Sequence, residues 1–226
     1  MLQYMMDEIG SVSFQLGNRD HVVWLGDPSK SYSVKSAYKV LTEDSNSGNQ
    51  LPFKKLWIKF VPLKVTIFGW QAFQNRIPSK ENLCKRGIVE NSAINCVWDC
   101  GKVETTSHIL FECTNAYKVW MELCRWLGVN SVMHNDCIVH FNAFTEVMQG
   151  RKGTESGLRT IWLACIGCIW KARNMKIFQD KIISVTTIAE DSKLLSWNWL
   201  RVKSRSFNYA ISEWITSPTV CLESVR

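Results

Sequence analysis

The chain lacks the marks of an exported or membrane-bound protein. Its opening residues, MLQYMMDEIGS, contain two acids and neither the basic stretch nor the long apolar run of a secretory signal. The most apolar stretch, Ile161 to Trp170, is ten residues between Arg159 and Lys171, against the ~20 needed to cross a bilayer. These absences predict an intracellular chain, in cytoplasm or nucleus, with no membrane partner. They also decide how nine cysteines are read. Without export a disulfide framework is excluded, leaving thiols, buried small hydrophobes or metal ligands. There is no run of five or more basic residues and no internal repeat.

What is present is globular in character: 46% hydrophobic and 21% charged residues rule out a disordered chain. The 226 residues allow one large or two small domains, either with a real core. Eleven tryptophans need something to cover them. The net charge of +7 suits a polyanionic partner, and equally an ordinary solvated basic surface.

Alternation in SVSFQL and HVVWLG, separated by Gly17-Asn18, predicts an N-terminal β-hairpin. Asp27-Pro28 then turns the chain, and Ser33 caps a helix through Val34, Ala37, Tyr38 and Leu41. The polar run TEDSNSGNQ has no periodicity and marks a linker. Helical spacing recurs in 53–60, 62–74, 117–127, 137–148, 158–178 and 188–214, the last breaking at RVKSRS. Ser79 and Gly87 bracket a short helix, KENLCKR. The fold expected is mostly α, with a small N-terminal β-hairpin and a Cys3His zinc knuckle. Its expected divisions are 1–42 (hairpin and short helix), 43–52 (linker), 53–130 (helical zinc-binding domain) and 131–226 (C-terminal helices).

The knuckle rests on NCVWDCGKVETTSHILFEC, which places Cys96, Cys100, His108 and Cys113 within eighteen residues. Zinc takes thiolate and imidazole in a tetrahedral shell, and four protein ligands close that shell, leaving no position for an activated water. The metal expected is therefore structural zinc. Cys96 and Cys100 would come from a turn containing Gly101, and His108 and Cys113 from a helix carrying Leu110. Helical neighbours lie at i and i+4, so this i+5 pair needs a frayed end, expected at Thr114-Asn115. Two alternatives stay open. The four could be scattered core residues, or Cys113 and His108 could be a thiol nucleophile and its base. A second pair, Cys165 and Cys168, lies in the apolar ACIGCIW and reads as core. Lysines and aromatics interleave in PFKKLWIKF, VPLKVTIFGW and IWKARNMKIF. That mixture can contact phosphates and stack bases, although on an amphipathic helix it also describes aromatics inward and lysines in water.

Together these residues resemble the zinc-binding domain that follows the reverse transcriptase of plant LINE-type, non-LTR retrotransposons. The resemblance begins at Asp20, Trp24, Gly26 and YSVKSAY (Tyr32 to Tyr38), and continues through Trp57, Pro62-Leu63-Lys64, Phe68 and Trp70. It runs on through RIPSKENLCKRG and ends at Glu104, Thr105, His108, Cys113 and Trp120. RTIWLACIGCIWKARN and WNWLRVKS look like the tail of such polyproteins. The chain departs from the commoner pattern in the three residues, rather than two, between Cys96 and Cys100. It also lacks a Tyr-x-Asp-Asp polymerase motif and an acidic set resembling ribonuclease H.

The resemblance implies a non-catalytic zinc-structured accessory module of a retroelement reverse transcriptase. Its implied partners are RNA or DNA and the parent polymerase domain, with no small-molecule substrate. The alternative implied is a structural or protein-interaction remnant of a decayed polyprotein, whose tryptophans once packed against an absent partner.

Overall fold

Most of the sequence's helix signals are met in a computed structural model, which describes residues 23–43, 50–148, 150–151 and 153–225, although the helix expected over 53–60 ends at Leu56 and that over 137–148 at Thr145. The chain divides into two units, the second beginning at Gln50.

In the first unit the expected hairpin is overturned. Its first strand, SVSFQL, and the Gly17-Asn18 turn lie outside the described residues, but Val23 to Ser33 are coil and turn, and no β-strand occurs among the described residues. Local hydrogen bonds explain this. The Trp24 N–H donates to Lys30 O at 3.1 Å and the Lys30 N–H to Asp27 O at 2.9 Å, while Ser29 donates both its N–H and its hydroxyl to Asp27 Oδ1. Backbone groups that a ladder would need are thus satisfied within seven residues, and Pro28 has no N–H to offer. The β-branched content of HVVWLG does not prevail, because strand preference depends on having a neighbouring strand. Ser33 then accepts from the Ser36 N–H at 3.0 Å and starts helix α1, Val34–Glu43.

The second unit is built from α2 (Gln50–Leu56), α3 (Leu63–Phe73), α4 (Lys80–Lys85), α5 (Thr114–Leu127) and α6 (Cys137–Thr145). It continues with α7 (Thr154–Gln179), α8 (Val185–Lys203), α9 (Ile211–Thr216) and α10 (Pro218–Glu223). Side-chain caps set the starts: Ser79 accepts from Asn82 N–H, Asp136 from Ile138 and Val139, and Ser184 from Thr187. The break expected at RVKSRS falls at Ser204.

The apolar ACIGCIW stretch is the middle of α7, a 26-residue helix buried against α8, α6 and α3. Among the described residues no helix is long and apolar enough to cross a membrane. Burial pushes the Cys165 and Cys168 thiols up, the reverse of what a reactive thiol needs.

The tryptophans are mostly covered by the chain itself. Trp120, Trp162 and Trp214 are fully buried. Their indole N–H groups donate to Leu110 O, His140 Nδ1 and Lys193 O respectively, as a buried indole requires. Phe73, Phe111, Phe141 and Phe144 complete one aromatic cluster around Trp120, Trp162 and His140. A second cluster joins Trp126, Phe207 and Trp214. The three buried indoles serve as core.

His140 stacks on Phe111 at 4.4 Å, and its pKa is pushed down to about 3, first by burial and then by His134. The unfolded chain takes up this proton near pH 6.5 and the folded chain only near 3. Stability is therefore unaffected above pH 6.5 and is lost as pH falls through that window, by up to ~1.4 kcal/mol per pH unit. Denaturant unfolding of wild type and His140→Gln between pH 7 and 4 checks this. The wild-type stability is expected to fall more steeply, and parallel curves would contradict it.

Candidate metal centre

The chain between α4 and α5 has little regular structure of its own, so something must hold it. From Ile94 to Glu104 it doubles back. Cys96 N–H donates to Lys102 O at 2.8 Å and Glu104 N–H to Ile94 O at 2.9 Å, with a single antiparallel bridge between Asn95 and Val103. The tip is tight: the Asp99 N–H returns to Cys96 O at 3.1 Å, and Asp99 and Gly101 adopt φ of 52° and 77°. These left-handed residues are how three intervening residues fit on a turn that still aims both sulfurs inward, and only glycine adopts that conformation freely.

The second half of the site differs from the expected helix with a frayed end. Thr105 Oγ1 accepts from the His108 N–H at 2.9 Å. The backbone then widens into one π turn, His108–Glu112, closed by the Cys113 N–H on His108 O at 2.8 Å. An i+5 hydrogen bond brings residues five apart onto one face, which an α-helix cannot do. Thr114 does not fray but begins α5, with Cys113 extended (φ −60°, ψ 138°) at its N-terminus. Inside the widened turn the Leu110 carbonyl accepts the Trp120 indole N–H at 2.9 Å. The tryptophan of the Cys-to-Trp pattern is thus a brace for the ligand turn.

The two halves bring all four expected ligands together. Cys96 Sγ and Cys113 Sγ are 3.8 Å apart, and Cys100 Sγ and His108 Nε2 are 3.1 Å apart. All four donor atoms lie within 4.8 Å of one another. A tetrahedron with ~2.3 Å zinc–sulfur bonds has S···S edges of about 3.8 Å. The donor set and spacing therefore fit zinc. Cys96, His108 and Cys113 are buried and Cys100 is half-buried.

Electrostatics favour a thiolate at Cys113. Its pKa is lowered to about 5, chiefly by the hydrogen bond from Cys96, with help from the Asn115 N–H and the charge of His108. The N-terminus of the 14-residue α5 adds to this field. The Cys96 thiol is correspondingly raised, first by its hydrogen bond to Cys113 and then by burial. Two sulfurs this close cannot both be anionic without a cation between them, which is the role a metal fills. Buried thiol chemistry is another matter: Cys113 is 1% exposed, and a nucleophile so enclosed has no path to a substrate.

One buried group ties this knuckle to the helices, and sequence reasoning missed half of it. Glu104 Oε1 accepts from Arg173 Nη2 at 2.6 Å and Nε at 3.2 Å, and from the Lys80 N–H at 3.0 Å. The side chains of Arg173 and Glu104 are 4% and 0% exposed. Arg173 also lies over the Trp170 ring at 4.6 Å. Its place one residue after Ala172, on the buried stripe of Ile166 and Ile169 in α7, was the available signal. The surface reading of IWKARNMKIF therefore does not hold for its arginine, which is withheld from phosphate. Asn82 makes a parallel tie, donating to the Asn75 and Ile77 carbonyls and Thr106 Oγ1.

Comparison with known proteins agrees with this geometry. Residues 32–120 match the family described as zinc-binding in reverse transcriptase. A protein of Arabidopsis thaliana, At1g65750, whose name describes it as a ribonuclease H protein, is 30% identical over 110 residues. That stretch is 47% of this chain and 17% of the Arabidopsis protein. No solved structure matches.

Proposed function

We propose that the chain, whose residues 32–120 match the family described as zinc-binding in reverse transcriptase, is a non-catalytic accessory module that helps a retroelement polymerase hold nucleic acid. In this reading zinc is bound by Cys96, Cys100, His108 and Cys113. The observation that carries the proposal is the closed donor set, four protein ligands within 4.8 Å of one another. A closed shell shapes a loop and activates no water. The ribonuclease H name of the Arabidopsis relative supports a nucleic-acid setting for this kind of domain. The net charge of +7 supports a polyanionic partner. Such a module would work in cytoplasm and nucleus, beside its parent polymerase.

Titration of the zinc-loaded chain onto single-stranded RNA at several salt concentrations tests the proposal. Log affinity is expected to fall linearly with log salt, by about 0.7 for each phosphate contacted. No binding, or binding indifferent to salt, would remove the reading.

A further inference from the structure

Between Ser45 and Lys80 the sequence carries Lys54, Lys55, Lys59, Lys64, Arg76 and Lys80 and not one Asp or Glu. Two of these cations are engaged within the fold. Lys55 pairs with Glu146 at 2.8 Å, and Lys80 Nζ donates to Asn95 O at 2.7 Å. Lys54, Lys59 and Lys64 are exposed and have no ion-pair partner among the described residues. An amphipathic helix accounts for lysines in water, but not for what lies beside them.

Trp57, between Lys54 and Lys59, is 51% exposed, and no other tryptophan among the described residues is among the exposed large hydrophobics. It borders a cleft of about 340 Å³ lined by Phe53, Lys54, Trp57, Trp70 and Gln74. Below it the outer stripe of α3 presents Leu63 and Ile67 to solvent. While five indoles donate to carbonyl or imidazole acceptors within the fold, Trp57 and Trp70 have no such bond. One exposed and one half-buried indole on a cleft that also holds an unpaired lysine, with no anion in the segment, are the composition of a base-stacking platform. An apolar protein partner would need only the rings and would not explain the acid-free charge.

We infer that Trp57 and Trp70, with Lys54 in the same cleft and Lys59 two residues after Trp57, form the surface on which single-stranded nucleic acid stacks. This rests on the proposed nucleic-acid role and places it on α2, α3 and the turn between them. Trp57 offers a π face to a base, and the lysines neutralise the flanking phosphates.

The test uses the full zinc-loaded chain with fluorescent pyrimidine RNA and DNA oligonucleotides of the same sequence, about a dozen nucleotides long, within the span of such sites. Trp57→Ala is expected to weaken binding roughly tenfold or more. A combined Lys54→Gln, Lys59→Gln variant is expected to shallow the salt slope by about 1.4. Unchanged zinc content and thermal midpoint would confirm that both variants fold. If wild type binds with a salt slope and both variants match it, this surface is excluded while the nucleic-acid role stands, and the face is left to a protein partner. If wild type binds neither oligonucleotide, both readings fall together.

Discussion

Replacing His108 with alanine, or Cys113 with serine, is expected to take the chain from one zinc to none and to unfold the loop between Ile94 and Cys113. Apart from the ties of Glu104 to Arg173 and of Leu110 to Trp120, little else holds that segment. It has one β-bridge and one π turn of its own, and its four donors converge on a point rather than on protein partners. Structural zinc contributes ~10–16 kcal/mol where a small domain folds only around its metal. Here the aromatic core around Trp120 and Trp162 persists without it, so a loss of about 5 kcal/mol is expected, concentrated in the knuckle. Metal analysis after refolding and hydrogen exchange resolved by segment would check this. Amides in 94–113 should lose protection, while those of α7 should keep most of theirs. Equal stability with and without a strong chelator would overturn the zinc assignment. The two variants also separate readings: a thiol enzyme would lose activity in Cys113→Ser while retaining its metal.

The second large effect concerns Glu104 and Arg173. Arg173→Met should destabilise the protein by about 3–5 kcal/mol, because it leaves a carboxylate buried with no countercharge. Glu104→Gln should cost a similar amount by stranding the guanidinium. The Glu104→Gln, Arg173→Met double variant is expected to recover part of the loss, since neither residual group is charged. Denaturant midpoints for the four proteins of this cycle give the coupling directly. Additive losses would mean that the 2.6 Å contact contributes little. Zinc content adds a second readout. Glu104 belongs to the strand-like return of the knuckle, through its N–H on Ile94 O. Losing Arg173 should therefore weaken zinc retention although Arg173 is no ligand, as expected of a supporting residue.

Much of the architecture is legible in short stretches. Ser33 and Ser79 announce helix starts because a cap is a bond between a side chain and an N–H two or three residues away, and Asp136 and Ser184 cap in the same way in the structure. The four soft donors in NCVWDCGKVETTSHILFEC point to a candidate metal site because few other uses bring them within eighteen residues. The hairpin reading failed where alternation was a weaker signal than the local acceptors of Asp27, and where strand propensity had no neighbouring strand to act through.

The sequence by itself determined most of the helices, the caps at Ser33 and Ser79 and the set of candidate metal donors, since a cap or a helical stripe depends on groups a few residues apart and the four donors fall within eighteen residues. The tertiary structure decided three further things. It widened 108–112 into a π turn, because Trp120 could supply the Leu110 carbonyl with a donor. It turned Arg173 from a surface cation into the countercharge of Glu104, 69 residues away. And it sorted the tryptophans, enclosing Trp120, Trp162 and Trp214 while leaving Trp57 half in solvent. Spacing along one helix says which side chains share a face, but which face is covered depends on the helices that arrive from elsewhere in the chain.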